Sequence, residues 1–151
     1  MLTDHLTPDT ILFAERVDGW RDALRLVSQP LLDQGAVTPA YVTAMADSIA
    51  AGGTYIDLGF GIALAHSRPE AGVLHTGLAS LRVAEPVLLA DDPAHPIDLF
   101  VCLAAPDAQG HLDTMMQLAT LLSDEELRRE LLASTSPADT LAVLTKIGQN
   151  A

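Results

Sequence analysis

Two histidines stand where a chain could use them. His66 closes the apolar run Ile62-Ala63-Leu64-Ala65 and is followed by Ser67-Arg68-Pro69-Glu70, so a short strand would deliver an imidazole into a polar turn. The strand fixes the direction of the ring and the turn leaves one ring nitrogen accessible; a neutral imidazole near pH 7 is a competent nucleophile. A cation beside it could steady an incoming anion, and the Arg68 guanidinium has the fork geometry that suits phosphate. The plainer reading of His66 is a strand end whose ring bonds a carbonyl, and that of Arg68 is a surface ion pair with Glu70. His111 follows the turn-rich stretch Ala105-Pro106-Asp107-Ala108-Gln109-Gly110 and opens an amphipathic helix. Helix N-termini direct N–H groups outward and carry a positive partial charge, which attracts phosphate and disfavours a protonated ring. Its plainer reading is a polar residue near a helix cap. One histidine ending a strand and another starting a helix after a second strand could converge at one sheet edge.

The elements that would hold these residues are legible as a change of period. Residues 10–16 read as a short first strand. From Asp18, Trp20, Leu24, Val27 and Leu31 recur at helical spacing, with Gly35 as the stop and Pro30 expected to bend or interrupt the last turn. Thr38-Pro39 pairs an N-cap with proline at the first helical position, starting a helix to about Ala50 that Gly52-Gly53 ends. Residues 62–65, 77–83 and 97–105 are short apolar runs bounded by Gly, Pro and Asp, as in strands buried within a sheet. The helical period returns at His111, with Leu112, Met115, Met116, Ala119 and Leu122 as its expected apolar stripe. A further helix over 124–133 is acidic at its start, and Ser136-Pro137 caps a last one ending near Ile147. Helices before and after the strands predict an α/β fold: a single layered α/β/α domain over residues 1–151, a mixed β-sheet with helices on both faces.

Composition narrows the chemistry. Eight basic and 20 acidic side chains give a net charge of −12, with Lys146 the single lysine. Neither nucleic acid nor anionic lipid is an expected partner, since both need clustered Lys and Arg. Lone Cys102 can form no internal disulfide and, inside Leu99-Phe100-Val101-Cys102-Leu103, reads as core. No stretch of roughly 18 unbroken apolar residues is present for direct membrane insertion. The start, Met1-Leu2-Thr3-Asp4-His5, lacks the basic and apolar stretches of a secretion signal, so a cytoplasmic location is expected. No G-x-x-x-x-G-K-[ST] loop, G-x-S-x-G elbow, His-Glu-x-x-His or zinc-spaced Cys–His pair occurs. His5, His75 and His95 read as structural or exposed, Met115 and Met116 as packing, and Asp91-Asp92-Pro93 as a turn.

The segment GIALAHSRPEAGV resembles the enzyme IIA phosphocarrier domains of the bacterial sugar phosphotransferase system, of the mannitol/fructose type and most closely the ascorbate branch, whose signature reads Gly-Ile-Ala-x-Pro-His-Ala-Arg-Pro-Glu. The resemblance runs from about residue 10 to 147 and includes Gln29-Pro30-Leu31-Leu32-Asp33, Tyr41-Val42-Thr43-Ala44-Met45, Thr76-Gly77-Leu78 and Ala104-Ala105-Pro106-Asp107 before His111-Leu112. It implies that phospho-HPr donates a phosphoryl group to Nε2 of His66, which passes it to a cysteine of an enzyme IIB. A membrane permease would be involved only indirectly. His111 matches the second family histidine, which would orient or neutralise the phosphoryl group, with Ser67 and Arg68 as phosphoryl-binding residues. No metal, nucleotide or other cofactor is then required. The alternative is a regulatory domain of the same fold whose phosphorylation state controls a partner protein. Two departures stand out: Ala65 occupies the place of the family proline before the histidine, and Ser48 that of an arginine in the preceding helix.

Overall fold

The computed structural model describes residues 4–149, with the side chains of Tyr55, Ala108 and 147–149 outside the description. Along the chain run β1 (Ile11–Ala14), α1 (Trp20–Asp33), α2 (Pro39–Ala50), β2 (Ile62–Ala65), β3 (Gly77–Leu88), β4 (Pro96–Ala104), α3 (Ala108–Ser123), α4 (Glu125–Ala133) and α5 (Pro137–Gln149). The sheet order is β1-β3-β4-β2, with β1 parallel to β3, β2 parallel to β4 and β3 antiparallel to β4. The sheet is mixed, and helices cover both faces. On β2 and β4, Ala63, Ala65, Phe100 and Cys102 face one apolar cluster with α1 and α2. Ile62, Leu64, Leu99, Val101 and Leu103 face the other, with α3, α4 and α5. Burial on both faces is why these strands read as unbroken apolar runs rather than alternating ones.

On the α1 side the sequence pattern matches the structure closely. Trp20, Leu24, Val27 and Leu31 are all buried. Gly35, at φ +73°, ends the helix in a Schellman motif: its N–H bonds Leu32 O and the Ala36 N–H bonds Leu31 O. Pro30 does not interrupt α1, which continues to Asp33. The ring removes one amide donor near the end of the helix, while fully buried Leu31 holds the final turn against the sheet. α2 has the expected bounds.

Elsewhere the boundaries move for identifiable reasons. β1 is shorter than 10–16 because Thr10 belongs to a turn, its hydroxyl accepting from Thr7 N–H at 3.0 Å and donating to Thr7 O at 3.2 Å. β3 runs on to Leu88 past a break in register between Arg82 and Val87, where Ala84, Glu85 and Pro86 are exposed. α3 starts at Ala108 rather than His111, because the Asp107 carboxylate caps it by accepting from Gly110 N–H at 2.7 Å. α5 ends at Gln149, two residues beyond the expected stop.

The expected stripe of α3 is corrected. Leu112 and Met116 are 51% and 61% exposed and Ala119 is exposed as well, whereas Leu118 and Leu121 are buried with Met115 and Leu122 partly so. The helix carries apolar residues on two sides, and only docking on the sheet selects one. Met116 is therefore surface, not packing. The Asp124 carboxylate caps α4 by accepting from Leu127 N–H at 3.0 Å, in line with its acidic start. Among the described residues no helix is long and apolar enough to cross a membrane.

Candidate functional site

Because β2 and β4 are parallel neighbours, with Ala65 opposite Cys102, both strands deliver their continuations to the same end of the sheet. His66 is the next residue after β2. β4 carries on through Ala105-Pro106 to Asp107, the cap of α3, and His111 lies on the first turn of that helix. Crevices beyond the carboxyl ends of parallel strands are where α/β sheets hold ligands. The two rings meet there, their centroids 5.4 Å apart and their planes tilted by 47°.

Both rings are half-buried and line one open crevice together with Ser67, Arg68, Glu70 and Asp107. His66 Nδ1 lies 2.9 Å from Leu64 O. A carbonyl can only accept, so Nδ1 carries the proton of the neutral ring and the lone pair sits on Nε2. The plain expectation of a carbonyl bond thus holds as well, and it is what selects the tautomer. Burial, and secondly the proximity of His66, holds His111 below the ordinary histidine value. Its own amide bonds Asp107 O at 3.4 Å and the Gly110 amide bonds the Asp107 carboxylate, so His111 brings its ring to the crevice and not a spare N–H.

The flanking residues differ in what they reach. Arg68 is exposed on the crevice rim and, among the described residues, forms no ion pair with Glu70. Ser67 is half-buried, and its amide bonds the Tyr41 hydroxyl at 2.9 Å. Tyr41, Met45 and Ser48 follow one another at helical spacing on the inner side of α2, and both Tyr41 and Ser48 line the crevice. Sequence reasoning did not single out Tyr41 as a site residue. The signal was available: a tyrosine on a buried stripe needs a partner for its hydroxyl. Here that hydroxyl donates to Leu103 O at 2.7 Å. Burial pushes the phenol well above the ordinary tyrosine value, so it stays protonated.

The other singled-out residues lie apart. His5 and His75 are exposed, His75 bonding Thr76 O and Gln34 O. His95 bonds Asp57 at the opposite end of the sheet. Cys102 is fully buried, its thiol pushed up to about 12 by burial, and it packs beside Ser28.

Residues 4–147 match the family model described as "Phosphoenolpyruvate-dependent sugar phosphotransferase system, EIIA 2". The chain is 30% identical over 145 residues to the mannitol-specific cryptic phosphotransferase enzyme IIA component of Escherichia coli K12, covering 96% of this chain and 98% of that one. It is 30% identical over 138 residues to the ascorbate-specific PTS system EIIA component of Shigella boydii, covering 91% and 90%. Among solved structures, the solution structure of the mannitol-specific cryptic enzyme IIA from E. coli superposes with a TM-score of 0.87 at 29% identity over 96% and 98% of the two chains. Enzyme IIA of mannitol from E. coli, in its complex with phosphorylated enzyme IIB, gives 0.78 at 26% identity over 93% and 97%.

Proposed function

Since the chain belongs to the EIIA 2 family of the phosphoenolpyruvate-dependent sugar phosphotransferase system, we propose that it acts in the cytoplasm as a phosphocarrier whose working nitrogen is Nε2 of His66. Phospho-HPr is the donor and a cysteine of an enzyme IIB the acceptor, serving uptake of a sugar or sugar acid of the ascorbate class. In the first half-reaction the donor's N–P bond breaks as the Nε2–P bond forms. In the second that bond breaks and an S–P bond forms on the enzyme IIB cysteine. The Nδ1 proton stays on the ring throughout, donated to the Leu64 carbonyl.

The observation that carries this reading is the crevice itself: two imidazoles 5.4 Å apart, one with its Nδ1 tied to its own strand. Phosphoryl transfer asks chiefly for in-line positioning and charge stabilisation, so few groups are needed. A neutral His111 ring donates a hydrogen bond to phosphoryl oxygens. Arg68 supplies the cation from the rim, where Ser48 stands in place of the helix arginine that the family resemblance implies; the Ser67 hydroxyl is the remaining phosphoryl ligand. The enzyme IIA–phosphorylated enzyme IIB complex of a relative supports the choice of acceptor.

The test is labelling with phosphoenolpyruvate, enzyme I and HPr, followed by mapping of the modified residue. Acid-labile, base-stable label on His66, lost in His66→Ala, is the expected result. Label that persists in His66→Ala overturns the site. Label on His66 that no enzyme IIB discharges moves the protein to the regulatory reading.

A further inference from the structure

The ladder between β2 and β4 has a fixed phase. Leu99 N–H bonds Gly61 O, so in this parallel pair the residues whose N–H and C=O face β4 are 61, 63 and 65, each N–H directed at the carbonyl of the residue one before its register partner on β4. Continued for one more rung, Ser67 N–H would bond Leu103 O. That rung is not made directly. Ser67 N–H bonds the Tyr41 oxygen at 2.9 Å, and the Tyr41 O–H bonds Leu103 O at 2.7 Å. The hydroxyl of a residue from α2, itself 1% exposed, stands inside the rung. One oxygen atom links the two strand ends where the direct rung is missing.

We propose that Tyr41 is a positioning residue for phosphoryl transfer: its hydroxyl, interposed between Ser67 N–H and Leu103 C=O, ends the pairing of β2 and β4 with the crevice open and sets the His66 ring against His111. The inference rests on the reading of His66 as phosphoryl acceptor, but not on the identity of donor, acceptor or sugar. Tyr41 touches no reacting atom. It acts through the backbone on either side of His66. A phenol is suited to this because it donates once and accepts as well, and because the buried ring is anchored in the apolar layer.

The experiment is Tyr41→Phe, which keeps the ring and removes only the bridging oxygen. The variant is expected to melt cooperatively, and its maximal rate of accepting phosphoryl from phospho-HPr to fall by about 10- to 100-fold, while the half-saturating donor concentration moves by less than about threefold. The Ser67 amide is expected to be protected from hydrogen exchange in the parent protein and to lose that protection in the variant. A folded Tyr41→Phe protein that accepts phosphoryl within about twofold of the parent rate overturns the proposal. Should the variant not fold, the parent protein decides: a protected Ser67 amide supports the bridge, and one that exchanges like an open loop refutes it. A His66→Ala protein that still takes label would instead defeat the underlying site assignment, so the two failures are separable.

Discussion

The two ends of the β2–β4 pair each hold a histidine, and they use it differently. At the carboxyl end, His66 bonds the carbonyl of Leu64 in its own strand and faces a second imidazole across an open crevice. At the other end, His95 Nδ1 lies 2.8 Å from the carboxylate of Asp57, which also accepts Gly59 N–H at 2.8 Å. There the polar groups join one loop to another. Packing is tight as well: at Gly61, φ +79°, a Cβ would come 2.5 Å from the Asp98 carboxylate. Beside it the Arg128 guanidinium covers the Phe60 ring at 3.8 Å. A partner from another loop turns an imidazole into a staple, whereas a partner two residues back in the same strand merely aims it. The neighbouring helix shows the same division, since α3 exposes Leu112 and Met116 near the crevice and buries Leu118 and Leu121 toward the far end.

The contrast can be broken most directly by exchanging the roles. His66→Ala should abolish phosphoryl acceptance, while Asp57→Ala, which unties the far end, should leave the transfer rate within about twofold and lower stability by about 1–3 kcal/mol in chemical denaturation. A far-end variant that loses transfer with its fold intact would erase the distinction. Along α3, Leu121→Ala should cost about 2–5 kcal/mol, and Leu112→Ala no more than about 0.5 kcal/mol. Equal losses would restore the stripe suggested by the sequence.

At the crevice, His111→Ala should remain folded and slow transfer by about 10- to 100-fold, measured by label uptake in rapid quench. Normal transfer would reduce His111 to a residue near a helix cap. The smallest effect concerns pH. His111 titrates lower in the folded chain than unfolded, so below about pH 6.5 the unfolded state binds more protons and stability falls as the pH drops. His111→Gln should flatten that slope between pH 6.5 and the lowered folded-state value, as read from melting temperature against pH. An unchanged slope would assign the dependence to other groups.

How much of this was legible beforehand varies with the element. α2 and β2 matched their expected bounds because proline at the first helical position, paired glycines and a four-residue apolar run are local signals. α3 departs from its sequence pattern on two counts. Its cap is a carboxylate three residues before the glycine it bonds, and its sequence offers two apolar sides. The role of Tyr41 is not legible in the sequence because its partners, Ser67 and Leu103, lie 26 and 62 residues away. Nothing in a local pattern encodes a bridge of that kind.

Chemistry at the site was written in the chain: an imidazole at a strand end, a guanidinium two residues on, and a second imidazole after a turn are matters of order and type. Whether the rings would meet was a matter of topology. It is the parallel pairing of β2 with β4, strands separated in sequence by the whole of β3, that brings the two continuations to one edge. Side-chain spacing governs which face a residue takes within its own element, whereas contacts between elements depend on which strand closes against which. That choice is made by burying both faces of the sheet at once, a property of the packed molecule rather than of any segment.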